Sequence, residues 1–358
     1  MKEVINHSGP RVEIRDSPIP EPNDDQVLIK VIVSGMNPKD WKAPEMAQMF
    51  TEGPMYEMLK PMRDGLNQGD DIAGIVEKVG ANVVEFKPGD RVAAFHEMVT
   101  PHGSFAEYAI AWGYTTFHLP KHTSFEEGAT IPLAALTAAV VLYHELAIPY
   151  PWTPATTSIP LVIYGGSTAV GAFAIKLTKN SNIHPIIAIA GKGSHYVETL
   201  IDRSKGDTVI DYREGMDSVI KKIQEAIKAT GHTEVKHSID AAIVQTSADT
   251  LKAVVAPGGQ IVFTYHNEFD VLPAVGSQPT VGMVHGRIGN QPINDARELG
   301  YVFSKYFARG LQQGTFSGHP YEVRERGLEG VEQAMKDLQK GKASATKYVV
   351  RIADTPGL

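Results

Sequence analysis

The sequence predicts an α/β protein in which a compact antiparallel β-barrel is followed by a doubly wound parallel sheet. Two observations predict this architecture. Residues 1–125 are rich in β-type runs, with turn residues at intervals of roughly 8–12 positions. From residue 158 to 263, short apolar strands alternate with helical patterns, as in a parallel sheet whose strands are joined by crossover helices. The chain has 358 residues, which is enough for two domains.

The first part of the chain contains one good strand, at 26–33, and a turn-forming segment at 37–42 with an amide, two lysines and a carboxylate. A methionine-rich segment at 43–66 is predicted to be irregular. Its methionines are expected to fill a core; the alternative is that they line an adaptable apolar pocket for the substrate. The remaining β-type runs of this part lie at 69–80, 86–95 and 103–109.

The second part starts with an alanine- and leucine-rich helix at 131–142. Five strands are predicted to form its sheet, beginning at residue 161 and continuing at 185–190, 208–210, 238–243 and 258–263. A glycine-rich stretch, 275–290, closes this part. Two helices follow at 301–311 and 327–339, and a last strand at 347–351 is expected to return to the first domain.

The segment 161–177 is the motif most informative about function. An apolar strand leads into small residues and then into a helical pattern, which places helix-start N–H groups against a phosphate. Thr168 stands where the second glycine of a strict G-x-G-x-x-G motif belongs, so Ser167 and Thr168 are expected to offer hydroxyls to the phosphate. The alternative is a plain strand–helix turn without a ligand.

The next strand predicts which dinucleotide would bind. An acidic residue that binds the ribose of NAD is expected about 20 residues after the phosphate turn. The sequence has Lys192 and Ser194 there instead, and a cation with a hydroxyl suits the 2′-phosphate of NADPH. The alternative is a solvated turn lysine.

Composition excludes several classes of function. The net charge of −7 disfavours a nucleic-acid or anionic-membrane surface. The absence of cysteine removes disulfides, thiol nucleophiles and cysteine-containing metal sites. No run of 18 apolar residues and no signal-peptide pattern is present, which predicts a cytoplasmic protein.

Four blocks of the sequence resemble the medium-chain dehydrogenase/reductase superfamily over essentially the whole chain. They are N-P-K-D-W-K at 37–42, G-D-D-I-A-G-I-V-E-K-V-G at 69–80, F-K-P-G-D-R-V at 86–92 and V-I-Y-G-G-S-T-A-V-G at 162–171. The resemblance implies a GroES-like catalytic domain over 1–125, a Rossmann NADPH-binding domain over 126–285, and a return to the catalytic domain over 286–358.

The sequence resembles the zinc-less branch of this superfamily. Zinc-dependent members have Gly-His-Glu where this chain has Gly69-Asp70-Asp71. His96 and His102 do not supply the three ligands of a catalytic zinc site, and they are expected to be solvated loop residues. The branch includes quinone reductases, enoyl-thioester reductases and trans-acting enoyl reductases of fungal polyketide pathways. The sequence Tyr-Gly-Gly-Ser-Thr-Ala at 164–169 is most similar to that of the trans-acting enoyl reductases.

The resemblance implies a set of site residues by position. Lys42 and Thr137 would lie beside the nicotinamide and the substrate and act in catalysis. Tyr56 is a speculative proton donor. The positions expected to bind NADPH are Asn37, Asp40 and Lys42 at the nicotinamide ribose, Ser167, Thr168, Ala169 and Val170 at the pyrophosphate, Lys192 and Ser194 at the 2′-phosphate, Tyr212 at the adenine, and Thr264 and Tyr265 at the nicotinamide.

The implied reaction is the reduction of the activated C=C bond of an α,β-unsaturated carbonyl by NADPH. The substrate would be a small enone or enoyl thioester, either free or presented on a carrier protein, and the enzyme would be a monomer or a homodimer. Two alternatives stay open at this point: an NADPH quinone oxidoreductase and a non-catalytic NADPH-binding protein. No metal, nucleic acid or membrane is expected to take part.

Overall fold

The structure is a computed structural model that describes residues 1–289 and 291–358. By its internal contacts the chain divides into two compact units. Unit 1 comprises Met1–Leu136 and Gly282–Leu358, and unit 2 comprises Thr137–Val281. Asn290, the last residue of the predicted glycine-rich stretch, lies outside the described residues.

The first stretch of unit 1 is mainly β-structure. Its strands and helices are β1 Lys2–His7, β2 Arg11–Asp16, β3 Gln26–Gly35, α1 Lys39–Met49, α2 Pro54–Asp64, β4 Asp71–Val79, β5 Arg91–Phe95, β6 Tyr108–Trp112, β7 Thr116–His118, α3 Phe125–Gly128 and α4 Pro132–Ala139. Helix α4 runs on as a π-helix, Val140–Glu145, into unit 2.

Unit 2 alternates strands with helices. Its elements are β8 Leu161–Tyr164, α5 Ala169–Asn180, β9 Ile186–Ala190, α6 Ser194–Glu198, β10 Thr208–Asp211, α7 Met216–Ala229, β11 Val235–Asp240, α8 Gln245–Val254, β12 Val255–Phe263 and β13 Val275–Ser277. The chain then completes unit 1 with β14 Arg287–Ile288, β15 Gln291–Pro292, α9 Arg297–Gln313, β16 Tyr321–Arg324, α10 Val331–Gln339 and β17 Lys347–Arg351.

The strands of unit 2 form one sheet in the order β10-β9-β8-β11-β12-β13, and every pairing in it is parallel. This is the order of the Rossmann fold, in which the direction of winding reverses between the first strand and the fourth, here β8 and β11. Ligands of such sheets bind beyond the carboxyl ends of the strands at this reversal. The residues that follow Tyr164 and Asp240 are therefore the candidate ligand-binding residues of unit 2.

Among the described residues of unit 1, the main sheet has the order β16-β17-β3-β4-β5-β7, and β6 also pairs with β3. Strand β17 pairs antiparallel with β3, so the end of the chain does return to the first part. A continuous apolar core lies within this unit, and its largest fully buried members include Phe105, Ile29 and Met36.

The methionine-rich segment 43–66 is helical, and the prediction that it is irregular is wrong. Helices α1 and α2 occupy most of it. Their inner residues, including Ala47, Leu59 and Met62, form a small apolar core with Val99. Pro44 and Pro61 obscured the helical pattern in the sequence, and tertiary burial of one face of each helix outweighs their cost.

The helical run Phe125–Glu145 is long and apolar enough to cross a membrane by length and composition alone. In the structure, 78% of its most apolar window is buried inside the protein. Burial of this kind is typical of a core helix, because a helix that is apolar on all sides must be covered by protein or lipid.

Candidate active site

A turn of small residues joins β8 to helix α5 at the carboxyl edge of the sheet in unit 2. Gly165 has a φ of +85°, a backbone conformation that favours glycine. A Cβ atom on Gly171 would lie 2.2 Å from the carbonyl oxygen of Gly165, so a larger residue does not fit there. Helix α5 therefore begins in direct contact with the turn, and its first N–H groups point to where an anion would bind.

Thr168 caps helix α5. Its hydroxyl donates to the carbonyl oxygen of Gly165 at 2.8 Å and accepts from the N–H of Gly171 at 3.0 Å. This hydroxyl is expected from the sequence to bind a phosphate, whereas in the structure it bonds to the backbone. The N–H groups of Ala169 and Val170 belong to the first helical turn, which has no intrahelical acceptor, and they suit a pyrophosphate.

The turn after β9 brings Lys192, Ser194 and Tyr212 together. Lys192 is exposed, and the hydroxyl of Ser194 donates to the carbonyl oxygen of Gly191 at 2.7 Å. A Cβ atom on Gly191 would lie 2.4 Å from Cε1 of Tyr212, so the phenol ring lies directly on this turn. An exposed cation beside a half-exposed aromatic ring, with no carboxylate at the end of β9, suits the adenosine end of a nicotinamide dinucleotide.

Asp240 ends strand β11 on the other side of the reversal point, and the sequence analysis did not name it. Its carboxylate accepts from the N–H groups of Ala242 and Ile243 at 2.9 and 2.8 Å and from the hydroxyl of Ser247 at 2.5 Å. Burial raises the pKa of this carboxyl. Thr264 donates through its N–H to the carbonyl oxygen of Asp240 at 3.1 Å, so Asp240 orients the segment that carries Thr264 and Tyr265.

In unit 1, Asn37 belongs to a buried network centred on Asp71. The Asn37 amide donates to Oδ2 of Asp71 at 2.6 Å. The Nζ of Lys347 lies 2.6 Å from the same oxygen and 2.9 Å from Oδ1 of Asn37. The N–H of Leu133, in the first turn of α4, donates to Oδ1 of Asp71 at 2.6 Å. The network thus links the 37–42 turn to strands β4 and β17 and to helix α4.

Asp40 is completely buried inside unit 1. Its Oδ2 accepts from the N–H of Asn37 at 2.8 Å, which stabilises the 37–42 turn. Burial raises the pKa of Asp40 to about 7, although the nearby Lys39 ammonium opposes the rise. The structure therefore gives Asp40 a role in shaping the turn.

The two residues expected to act in catalysis lie in different units, and each is at least half-buried. Lys42, in helix α1 of unit 1, has its Nζ 5.6 Å from the centre of the Trp41 ring, and burial lowers its pKa. Thr137, in helix α4, is 5% exposed and is the first residue of unit 2. Tyr56 is half-buried in α2, with the Arg63 guanidinium 5.6 Å from its ring centre.

The two loop histidines differ from the expectation. His96 is buried, with Nδ1 2.7 Å from the carbonyl oxygen of Ile110 and Nε2 3.2 Å from the hydroxyl oxygen of Thr100. His102 is half-buried with a φ of +75°. The prediction that His96 is solvated is wrong, because it fills a polar position at the end of β5. Among residues 1–289 and 291–358, no group of three or more His, Cys, Asp or Glu residues is arranged to hold a metal ion.

A cavity of about 770 Å³ opens on unit 1 away from these residues. It is lined by Asp25, Trp112, Tyr114, Asp295, Arg297, Glu298 and Tyr301. Its lining includes none of the positions that the resemblance implies for cofactor or substrate, and size alone does not make it the active site.

Known proteins were compared with the chain. The GroES-like domain of alcohol dehydrogenases matches residues 23–121. The chain is 45% identical over 329 residues to trans-enoyl reductase fsr4 of Gibberella fujikuroi, covering 90% of both chains. It is 29% identical to trans-enoyl reductase resD of Aspergillus sclerotiorum, covering 98% of this chain and 100% of the relative.

Two solved structures share the fold. The CurK enoyl reductase superposes with a TM-score of 0.74 at 19% identity over 98% of both chains. A quinone oxidoreductase of Pseudomonas syringae pv. tomato DC3000 gives a TM-score of 0.71 at 18% identity, over 98% of this chain and 99% of that one. They confirm the predicted GroES-like and Rossmann fold. The chain is 45% identical to trans-enoyl reductase fsr4 over nine-tenths of its length. It therefore belongs to the trans-enoyl reductases, which are oxidoreductases of the zinc-less branch of the medium-chain dehydrogenase/reductase superfamily.

Proposed function

We propose that this enzyme uses NADPH to reduce the carbon–carbon double bond of an α,β-unsaturated thioester or ketone. The observation that carries the proposal is the 45% identity to a trans-enoyl reductase over 90% of both chains. When bound, the dinucleotide supplies a hydride for the β-carbon of the substrate. The protein must bind and orient both molecules and stabilise the negative charge that develops on the substrate carbonyl oxygen.

The residues that would hold the dinucleotide lie at the carboxyl edge of the sheet in unit 2. The first N–H groups of helix α5, at Ala169 and Val170, would bind the pyrophosphate together with Ser167, while Thr168 keeps the helix start in place. Lys192 would pair with the 2′-phosphate, and the Tyr212 ring would stack on the adenine.

The remaining assignments concern the nicotinamide end. Thr264 and Tyr265, held by Asp240, would line the nicotinamide, and Ser194 would support the turn at the 2′-phosphate. In unit 1, Asn37 and Asp40 would shape the turn that presents Lys42.

Lys42 and Thr137 would stabilise the developing oxyanion. Lys42 brings a cation whose burial strengthens its electrostatic effect, and Thr137 brings a hydroxyl donor. Replacing Lys42 by Met removes the charge and retains most of the side-chain length. We expect kcat to fall about 100-fold, the scale on which loss of one oxyanion donor acts.

The experiment that tests this function measures oxidation of NADPH by the purified enzyme with an enoyl thioester and, separately, with a quinone. Turnover of the enoyl thioester supports the proposal. Turnover of the quinone alone would assign the enzyme to the quinone oxidoreductases. Binding of NADPH without turnover of either acceptor would indicate a non-catalytic protein.

The cofactor preference is tested with Lys192→Ala. We expect the Kd for NADPH to rise about 10-fold or more and the Kd for NADH to stay unchanged, because the lysine would contact only the 2′-phosphate. The matched control is Lys205→Ala, which removes an exposed lysine of the same unit that pairs with Asn182. Equal weakening of NADPH and NADH binding would remove Lys192 from the 2′-phosphate site.

The proposal extends to the location of the enzyme, the form of its substrate and its oligomeric state. We place the enzyme in the cytoplasm, acting on a substrate carried either free or on a carrier protein, as a monomer or a homodimer. Gel filtration with light scattering, and turnover of a carrier-bound against a free enoyl thioester, distinguish these cases.

A further inference from the structure

Unit 1 contains two buried lysine–aspartate pairs that differ in how completely their hydrogen bonds are satisfied. One joins Lys347 to Asp71, and the other joins Lys39 to Asp70. Both lysines are less than 10% exposed, at 4% and 7% respectively. Because burying an ion pair costs desolvation energy, each pair calls for a structural or a chemical explanation.

In the Lys347–Asp71 pair, both oxygens of the carboxylate are hydrogen-bonded. Asp71 accepts from Lys347, Asn37 and Leu133, each at 2.6 Å, and Lys347 also donates to Asn37. A network of this kind holds four segments of the chain together. Its role is structural.

The Lys39–Asp70 pair lies among buried polar atoms that have no hydrogen-bond partner. The Nζ of Lys39 lies 2.5 Å from Oδ2 of Asp70 and 2.6 Å from the carbonyl oxygen of Gln68, but its next partner, Oδ1 of Asp40, is 3.5 Å away. Within residues 1–289 and 291–358, neither this Oδ1 nor either amide atom of Gln68 has a hydrogen-bond partner. Gln68 is 1% exposed. Buried polar groups are normally hydrogen-bonded, so these unpaired oxygen and nitrogen atoms make the cluster a candidate catalytic site.

Two groups of the cluster, Lys39 and Asp40, carry protons near neutral pH. Burial lowers the pKa of Lys39, but the Asp70 and Asp40 carboxylates outweigh it and hold the pKa above its ordinary value, so Lys39 is an ammonium. Burial raises the pKa of Asp40 to about 7, which leaves it partly protonated near neutral pH. A proton lost by Lys39 therefore has a source of replacement 3.5 Å away.

Lys39 shares a helix face with the proposed oxyanion donor. Lys39 and Lys42 are three residues apart in helix α1, a spacing that places two side chains on the same side of a helix. The reduction adds a hydride to the β-carbon and needs a proton at the neighbouring α-carbon. Resting on the proposed function, we propose that Lys39 is the acid that delivers this proton.

As hydride bonds to the β-carbon, the electron pair of the C=C bond moves into the enolate of the substrate. A new C–H bond then forms at the α-carbon while one N–H bond of Lys39 breaks, and the N–H electron pair stays on the amine. The enolate is a far stronger base than the amine, so transfer is downhill. Lys39 regains a proton from the Asp40 carboxyl or from solvent.

The experiment measures which face of the α-carbon receives deuterium when an enoyl thioester is reduced in deuterated buffer. The test variant is Lys39→Met/Asp70→Leu, which removes both members of the pair together, while Asp40 keeps the N–H of Asn37 as its hydrogen-bond donor. The control is Lys347→Met, which disrupts the other buried pair. A fixed acid labels one face only, whereas solvent reaches both faces of an enolate.

We expect the parent enzyme and the Lys347→Met control to label one face. In Lys39→Met/Asp70→Leu we expect both faces to be labelled and kcat to fall about 100-fold or more, with an unchanged Kd for NADPH. Retention of one-face labelling in the double variant would overturn the proposal. If that variant gives no product, added methylammonium is the test: restored turnover supports an acid at this position, and no restoration refutes it. Failure of the parent enzyme to reduce the thioester would refute the proposed function instead.

Discussion

The Asp71 network makes a testable prediction about stability. Lys347→Met removes an ammonium that lies 2.6 Å from a completely buried carboxylate, and it replaces the lysine with a side chain of similar length. The Asp71 charge then loses its cationic partner inside the protein. Asn37 and Leu133 continue to donate to it.

The magnitude follows from the contacts that are lost and kept. Removing one partner of a buried ion pair typically costs about 3–5 kcal/mol. Because Asp71 keeps two donors at 2.6 Å, we expect the lower end of this range, about 3 kcal/mol of unfolding free energy. The lost bond from Lys347 to Asn37, at 2.9 Å, is included in this figure.

The assay is urea-induced unfolding of the variant and its parent, followed by a probe of unit 1 such as tryptophan fluorescence. The chain has three tryptophans, Trp41, Trp112 and Trp152, and the first two lie in unit 1. The control is Lys252→Met, which removes an exposed lysine paired with Asp270 at 3.0 Å. Exposed pairs contribute about 0–1 kcal/mol. A loss below 1 kcal/mol for Lys347→Met, or one equal to the control, would refute the reasoning.

Three further predictions follow from the site. Burial raises the pKa of Asp40 from 3.8 to about 7, so this carboxyl favours folding most below pH ~4, and its contribution to the free energy of unfolding is lost as the pH rises to 7. Asp40→Asn should remove up to about 4 kcal/mol of this change in the free energy of unfolding, measured by unfolding at several pH values. Gly171→Ala places a Cβ 2.2 Å from the Gly165 carbonyl oxygen, and we expect it to lower the melting temperature and abolish NADPH binding in a fluorescence titration, so near-parental affinity would contradict a close-packed turn. Thr168→Ala should cost about 1 kcal/mol in urea unfolding, and Thr168→Ser should restore most of it; an equal loss in both would show that the hydroxyl does not cap the helix.

The sequence predicted the fold well because the fold depends on local patterns. The strand, turn and helix at 161–177 are observed as β8, the Gly165 turn and α5. The return of the last strand to the first part of the chain is observed in the pairing of β17 with β3. The segment 43–66 was predicted wrongly because prolines and scattered methionines hide a helical face that only its burial against Val99 and its neighbours defines.

Site prediction was less complete, because the role of a polar residue depends on its partners. Thr168 has the residue type of a phosphate ligand, yet its hydroxyl bonds to the backbone of its own turn. His96 has the surroundings of a loop residue in the sequence, yet it is buried. The carboxylate of Asp240 was missed because no motif marks it, although its place at the end of a predicted strand was a usable signal.

By itself, the sequence determined the two-part architecture, the turn at the carboxyl edge of the parallel sheet and the superfamily, because periodicity and glycine spacing act over a few residues. Only the tertiary structure decided how the charges are paired. Lys347 and Asp71 are 276 residues apart, and Lys39 pairs with Asp70 and Gln68 in the loop before β4. Such pairs form when distant segments are buried together, since a charge leaves water only where the fold provides its partner.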